Sequence, residues 1–187
     1  MARDSVPFAE LVETMKRAAG VLREADIEFL LGGGIAIWAR GGPETDHDVD
    51  FYLRVTDAEG ALDALSASGF RPDRPPEGWL FKAWDDGRFI DLIFDTSEGP
   101  VDDSYFDRAE RLEVYAVRMA VASTEDILVS KLLALNEQRL DYGGVVEIAR
   151  SLREQVDWPH VRERTGGSPY ARAFFCLLEE LGIIDRE

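Results

Sequence analysis

Gly32-Gly33-Gly34-Ile35-Ala36-Ile37-Trp38-Ala39-Arg40-Gly41-Gly42-Pro43-Glu44-Thr45-Asp46-His47-Asp48-Val49-Asp50-Phe51 decides how this chain is read. It follows Ile27 to Leu31, an apolar segment that reads as a buried strand, and Ile35 to Ala39 then reads as a short helix. A strand that turns through glycines into a helix presents unpaired backbone N–H groups, which suit a phosphate. A glycine lets the backbone come close to such a ligand, because no Cβ stands in the way. Asp48 and Asp50 come next, on a strand expected over His47 to Leu53. Side chains at i and i+2 of a strand share a face, so the two carboxylates lie side by side, with Val49 and Phe51 turned the other way. Two like charges held so close call for a neutralising partner, and a hard divalent cation with oxygen ligands is the natural one.

The rest of the chain is read outward from this stretch. Val6 to Glu24 has helical apolar spacing, with Ser5 as its expected N-cap, and Thr56 to Ser68 reads as a helix with Thr56 and Glu59 as a capping box. Arg71 to Gly78 reads as a loop. Trp79 to Trp84 and Arg88 to Phe94 flank Asp85-Asp86-Gly87, the signal of a β-hairpin. A helical turn at Asp102 to Asp107 and short strands at Leu112 to Val117 and Met119 to Ala122 follow. From Ser123 onward the chain turns helical, with starts at Ser123, Tyr142, Asp157 and Ser168. The fold class is α+β: a mixed β-sheet core with helices over residues 1–122, then a helical part, 123–187, packed on it.

Composition narrows the function classes. With 21 basic and 37 acidic residues the net charge is −16, which opposes general binding of polyanions and favours a cationic partner. No run is long and apolar enough to span a membrane, the N-terminus lacks the pattern of a signal peptide, and Cys176 is the single cysteine. The expectation is a cytoplasmic protein without membrane attachment, with Cys176 buried in the core.

Gly33-Gly34-x-Ala36, a spacer holding Thr45 and His47, and then Asp48-Val49-Asp50 resembles the nucleotidyltransferase superfamily of DNA polymerase β type. The likeness is greatest to its small bacterial members, the aminoglycoside and lincosamide nucleotidyltransferases and the toxins of AbiEii/MenT type. The resemblance implies the layout given above and a third carboxylate on a neighbouring strand. Asp91, in Phe89-Ile90-Asp91-Leu92-Ile93-Phe94, matches by position and context. An acid among apolar residues is costly unless paired or metal-bound; the alternative for Asp91 is an edge-strand acid facing water.

On this resemblance Asp48, Asp50 and Asp91 are the catalytic and metal-binding set and hold two Mg²⁺ ions. Gly33 and Gly34 hold the phosphates of an NTP, and Asp91 accepts the proton of the acceptor hydroxyl. Thr45 and His47 precede the Asp-x-Asp as they do in antibiotic-modifying members. Lys131 stands where toxin-type members place a lysine on the triphosphate. Arg139-Leu140-Asp141-Tyr142 resembles a further toxin segment, which makes Asp141 a nucleotide-binding candidate; Gly144 departs from that segment, where a second Asp is expected. The implied activity is Mg-dependent transfer of an NMP from an NTP, such as ATP, to an acceptor hydroxyl, releasing pyrophosphate. A toxin-like enzyme would act on tRNA or a protein and would bring an antitoxin partner. The alternatives are an aminoglycoside- or lincosamide-type enzyme acting on a cationic small molecule, or a protein of the same fold that binds nucleotide without turnover.

Overall fold

The structure, a computed structural model, describes residues 6–45 and 47–186, so the cap expected of Ser5 lies outside the described residues. Helix α1 (Phe8–Glu24) puts Leu11, Met15, Ala18, Ala19 and Leu22 on one buried face and leads into strand β1 (Leu30–Leu31). Helix α2 (Gly33–Trp38) follows β1 after one residue, and strand β2 (Val49–Tyr52) carries the acidic motif. Both strands are shorter than the sequence reading: β1 forms only at Leu30, after Ile27 to Phe29, and β2 spans Val49–Tyr52 rather than His47 to Leu53.

Helix α3 (Val55–Ala67) begins after Arg54 with no side-chain cap, so the capping box expected of Thr56 and Glu59 is not formed. Glu59 binds Arg74 instead, at 2.7 Å. Strand β3 (Arg71–Asp73) occupies part of the stretch read as a loop; as an edge strand with one neighbour it accommodates Pro72. Strands β4 (Leu80–Asp85) and β5 (Arg88–Ile93) form the expected hairpin. Asp86 and Gly87 both have positive φ, 46° and 88°, as a tight two-residue hairpin turn demands.

Strands β6 (Asp95–Thr96) and β7 (Gly99–Pro100) make a small separate ladder, followed by helix α4 (Asp103–Asp107), capped by Asp102. Strands β8 (Glu110–Val114) and β9 (Val117–Val121) complete a seven-stranded sheet in the order β3-β4-β5-β2-β1-β9-β8. β2 pairs with β5, and β1 with β9, in parallel; the other neighbours are antiparallel.

Helices α5 (Thr124–Leu133), α6 (Gly143–Leu152), α7 (Trp158–Thr165) and α8 (Pro169–Glu180) follow. Ser123, Asp157 and Ser168 cap three of them by accepting backbone N–H groups of Asp126, His160 and Ala171. Helix α5 packs on α2 and carries α6, α7 and α8 on its outer side. A buried ion network fixes its start. Asp126, 1% exposed, accepts from Arg108 Nε at 3.0 and 3.1 Å and from Arg164 at 2.7 Å. The apolar core is continuous from α1 through the sheet to Phe174, Phe175 and Leu178 of α8. Cys176 is exposed rather than buried: the inward stripe of α8 is Ala171, Phe174, Phe175 and Leu178, and Cys176 falls off it.

Candidate active site

β2 and β5 place Asp50 directly opposite Asp91, and Asp48 stands just ahead of β2. A carboxylate oxygen from each of Asp48, Asp50 and Asp91 lies within 4.8 Å of the other two, the one such acidic group among the described residues. β5 is an interior strand of the sheet and Asp91 is 8% exposed, so it is not an edge acid facing water. Burial, and then the neighbouring charges of Asp48 and Asp91, hold the Asp50 carboxyl well above its ordinary range; Lys131 and Lys82 pull it back. Three oxygen donors with a charge excess of this kind fit a hard divalent cation.

Two lysines frame the cluster. Lys131 projects from α5 near enough for its charge to act on Asp50. Lys82 sits opposite Asp91 on β4, forms an ion pair with its Oδ1, and lies 4.5 Å from the centre of the Phe89 ring. Sequence reasoning missed Lys82, although a signal was present. A two-residue turn at Asp86-Gly87 fixes the register of the hairpin, and counting back from it sets Lys82 against Asp91.

The glycines sit against the same cluster. Gly33 has φ +57°, and a Cβ there would overlap the Asp50 carboxylate. The space it leaves therefore serves Asp50 as well as any ligand. A Cβ on Gly34 would come within 2.5 Å of Thr45 Cβ and 2.7 Å of its hydroxyl, so Thr45 packs on the start of α2. Gly32 donates its N–H to the Asp50 carbonyl at 2.9 Å and packs beneath the Tyr52 ring. Burial, then Asp50, pushes the Tyr52 phenol up, so this hydroxyl stays protonated. His47 is exposed, one residue before Asp48. Asp141 stands apart from the acidic group, exposed ahead of α6, where its Oδ1 accepts the Gly143 N–H at 2.9 Å.

Two tryptophans lie on the hairpin strands or just before them. Trp79 is 43% exposed. Trp84 is half-buried between Arg71 and Phe89.

No family model matches the chain, and no curated protein matches it significantly in sequence. Solved structures do match its fold. The structure of ANT(2″)-Ia in complex with adenylyl-2″-tobramycin superimposes with a TM-score of 0.64 at 12% identity, covering 87% of this chain and 98% of that one. The lincosamide antibiotic adenylyltransferase LnuA, lincomycin-bound, gives 0.55 at 13% identity over 82% of this chain and 100% of that one. An antigenic nucleotidyltransferase-like protein from Paracoccidioides brasiliensis gives 0.55 at 16% identity over 91% and 88%. The chain has the nucleotidyltransferase fold.

Proposed function

We propose, with that fold as the premise, that this chain is a Mg-dependent nucleotidyltransferase that moves an NMP from an NTP to the hydroxyl of a small cationic acceptor. The observation that carries the reading is the close approach of Asp50 on β2, Asp91 on β5 and Asp48 just ahead of β2, beside the turn from β1 into α2. Bound Mg²⁺, two ions on this reading, would neutralise charge on the phosphates and acidify the attacking hydroxyl.

The chain's own groups supply the rest. Asp48 and Asp50 hold the metal-bound triphosphate, and the backbone N–H groups at Gly33 and Gly34 face its oxygens. Thr45 braces Gly34, and His47 flanks the triphosphate from the exposed side. Lys131 grips the phosphates with a mobile ammonium. Asp91 takes the hydroxyl proton as the oxygen attacks the α-phosphorus in line and pyrophosphate leaves. Lys82 is paired with Asp91 and so holds its carboxylate in place beside β4. Asp141 has a smaller share: it orders the approach to α6, with no claim on the acidic cluster. Residues 1–122 act as the catalytic core, and 123–187 as a helical part that delivers Lys131.

A cationic small molecule is favoured over tRNA by the net charge of −16. The antibiotic-bound states named for ANT(2″)-Ia and LnuA support the same choice. The test is incubation with each α-labelled NTP, Mg²⁺ and fractionated acceptors. Label should move to an amine-bearing small molecule with release of pyrophosphate. Label on tRNA or protein would favour the toxin-type reading, and binding without transfer would reduce the protein to a nucleotide binder.

A further inference from the structure

A cavity of about 340 Å³ opens beside the acidic cluster, lined by Trp79, Ile93, Asp95, Ser97, Ser130 and Ala134 among others. Ile93 lies two residues beyond Asp91 on β5 and therefore on the same face of the sheet. Ser130 is the neighbour of Lys131 on α5. The cavity thus shares strand β5 with the active site, and α5 contributes residues to both. Asp95 is its one titratable lining residue among the described residues, and Asp95 Oδ1 is buried with no hydrogen-bond partner. Its backbone N–H is tied to the Trp79 carbonyl at 3.1 Å, which holds the carboxylate beside an indole that is 43% exposed.

A buried carboxylate oxygen without a donor is costly to keep. A protonated amine would complete it, because it brings both charge and N–H donors, and an adjacent indole face attracts the same cation. The strand order fixes which substrate this is. Gly33 and Gly34 follow β1, on one flank of the carboxylates, whereas the cavity lies along β5 and the start of β4, on the other. A molecule in the cavity reaches Asp91 from the side away from the phosphate cradle.

We infer that this cavity is the acceptor subsite, and that Asp95 and Trp79 bind a protonated amine of the acceptor so that its hydroxyl is presented to Asp91. The inference rests on the transferase reading for its second half, while the binding of the amine stands by itself. Three residues, Leu92 to Phe94, separate Asp91 from Asp95, so their Cα atoms lie at most about 13 Å apart, a span that one small acceptor carrying both an amine and a hydroxyl can bridge.

The test uses the full chain and a matched pair of probes, 4-(aminomethyl)benzyl alcohol and 1,4-benzenedimethanol, which differ only in the amine. Each is titrated while the indole N–H signal of Trp79, assigned by its loss in Trp79→Phe, is followed by NMR. The amine should bind at least about tenfold more tightly than the diol, as a charge-assisted contact requires. Asp95→Asn should erase that difference while the indole signals of Trp38, Trp84 and Trp158 stay in place, which reports an intact fold. Trp79→Ala should weaken the amine severalfold. Calorimetric affinity for MgATP should stay within about twofold in Asp95→Asn. Equal binding of the two probes, or wild-type amine binding by Asp95→Asn, would overturn the inference. So would a loss of MgATP affinity in Asp95→Asn, since the cavity would then hold the nucleobase. Failure of the transferase reading would show separately, as absent label transfer with the amine titration unaffected.

Discussion

Replacing Asp50 by Asn should stabilise the metal-free protein. Three carboxylates within 4.8 Å of one another repel strongly. At an effective dielectric constant of about 20, two unit charges at that distance cost about 3.5 kcal/mol, and Asp50 faces two such partners. Lys131 and Lys82 offset much of this, and partial protonation of Asp50 relieves more. A net gain of about 1–3 kcal/mol on removing the charge is therefore expected, large for a substitution that adds no contact. The pH dependence has a definite sign. Asp50 is held above its ordinary value in the fold, so the fold is favoured at low pH and loses stability as pH rises through the folded value. The advantage of Asp50→Asn should thus be greatest near pH 8 and vanish below about pH 4, where the unfolded carboxyl also takes its proton. Denaturant melts of both proteins in chelator, repeated with Mg²⁺, read this directly. Mg²⁺ should stabilise the wild type and leave Asp50→Asn nearly unmoved. A variant that is less stable than wild type in chelator at pH 8 would refute the reasoning, because charge repulsion would not be the governing term.

Two further outcomes follow from the same geometry. Gly33→Ala should lower stability by more than about 2 kcal/mol and weaken Mn²⁺ binding in an electron paramagnetic resonance titration, since the added Cβ meets the Asp50 carboxylate and φ is +57°. Wild-type metal affinity in that variant would mean that Asp50 does not depend on the glycine. Lys131→Ala should weaken MgNTP binding in calorimetry by about 1–3 kcal/mol, the worth of a charge-assisted hydrogen bond, and should lower the melting temperature in chelator, since it removes a cation that offsets the repulsion around Asp50.

Local chemistry was legible in the sequence where a short stretch specifies its own geometry. Asp86-Gly87 forces a hairpin, Ser123, Asp157 and Ser168 cap helices, and Asp48-x-Asp50 brings two acids together, although Asp48 stands just ahead of β2 and only Asp50 lies on it. Asp91 was legible too, because an acid inside an apolar strand demands a partner. What depended on distant segments was not. Arg108 and Arg164 reach Asp126 from other elements, and no local pattern announces them. Thr56 and Glu59 carried the letters of a capping box, but the helix starts one residue earlier and Arg74 claims Glu59. Cys176 had apolar neighbours and still faces outward, because burial in α8 follows helical phase rather than the character of adjacent residues. The cavity beside Asp95 was not legible, because Ser130 and Ala134, distant along the chain, complete its lining.

The central claim is that Asp91 takes the acceptor proton while Asp48 and Asp50 hold the metal-bound nucleotide. The most direct test is single-turnover transfer from an α-labelled NTP by wild type and Asp91→Asn, with MgNTP affinity measured on the same preparations. Affinity should stay within a few-fold of wild type and transfer should slow by at least about 10²-fold, the usual scale for losing a positioned proton acceptor. Transfer at the wild-type rate by Asp91→Asn would contradict it.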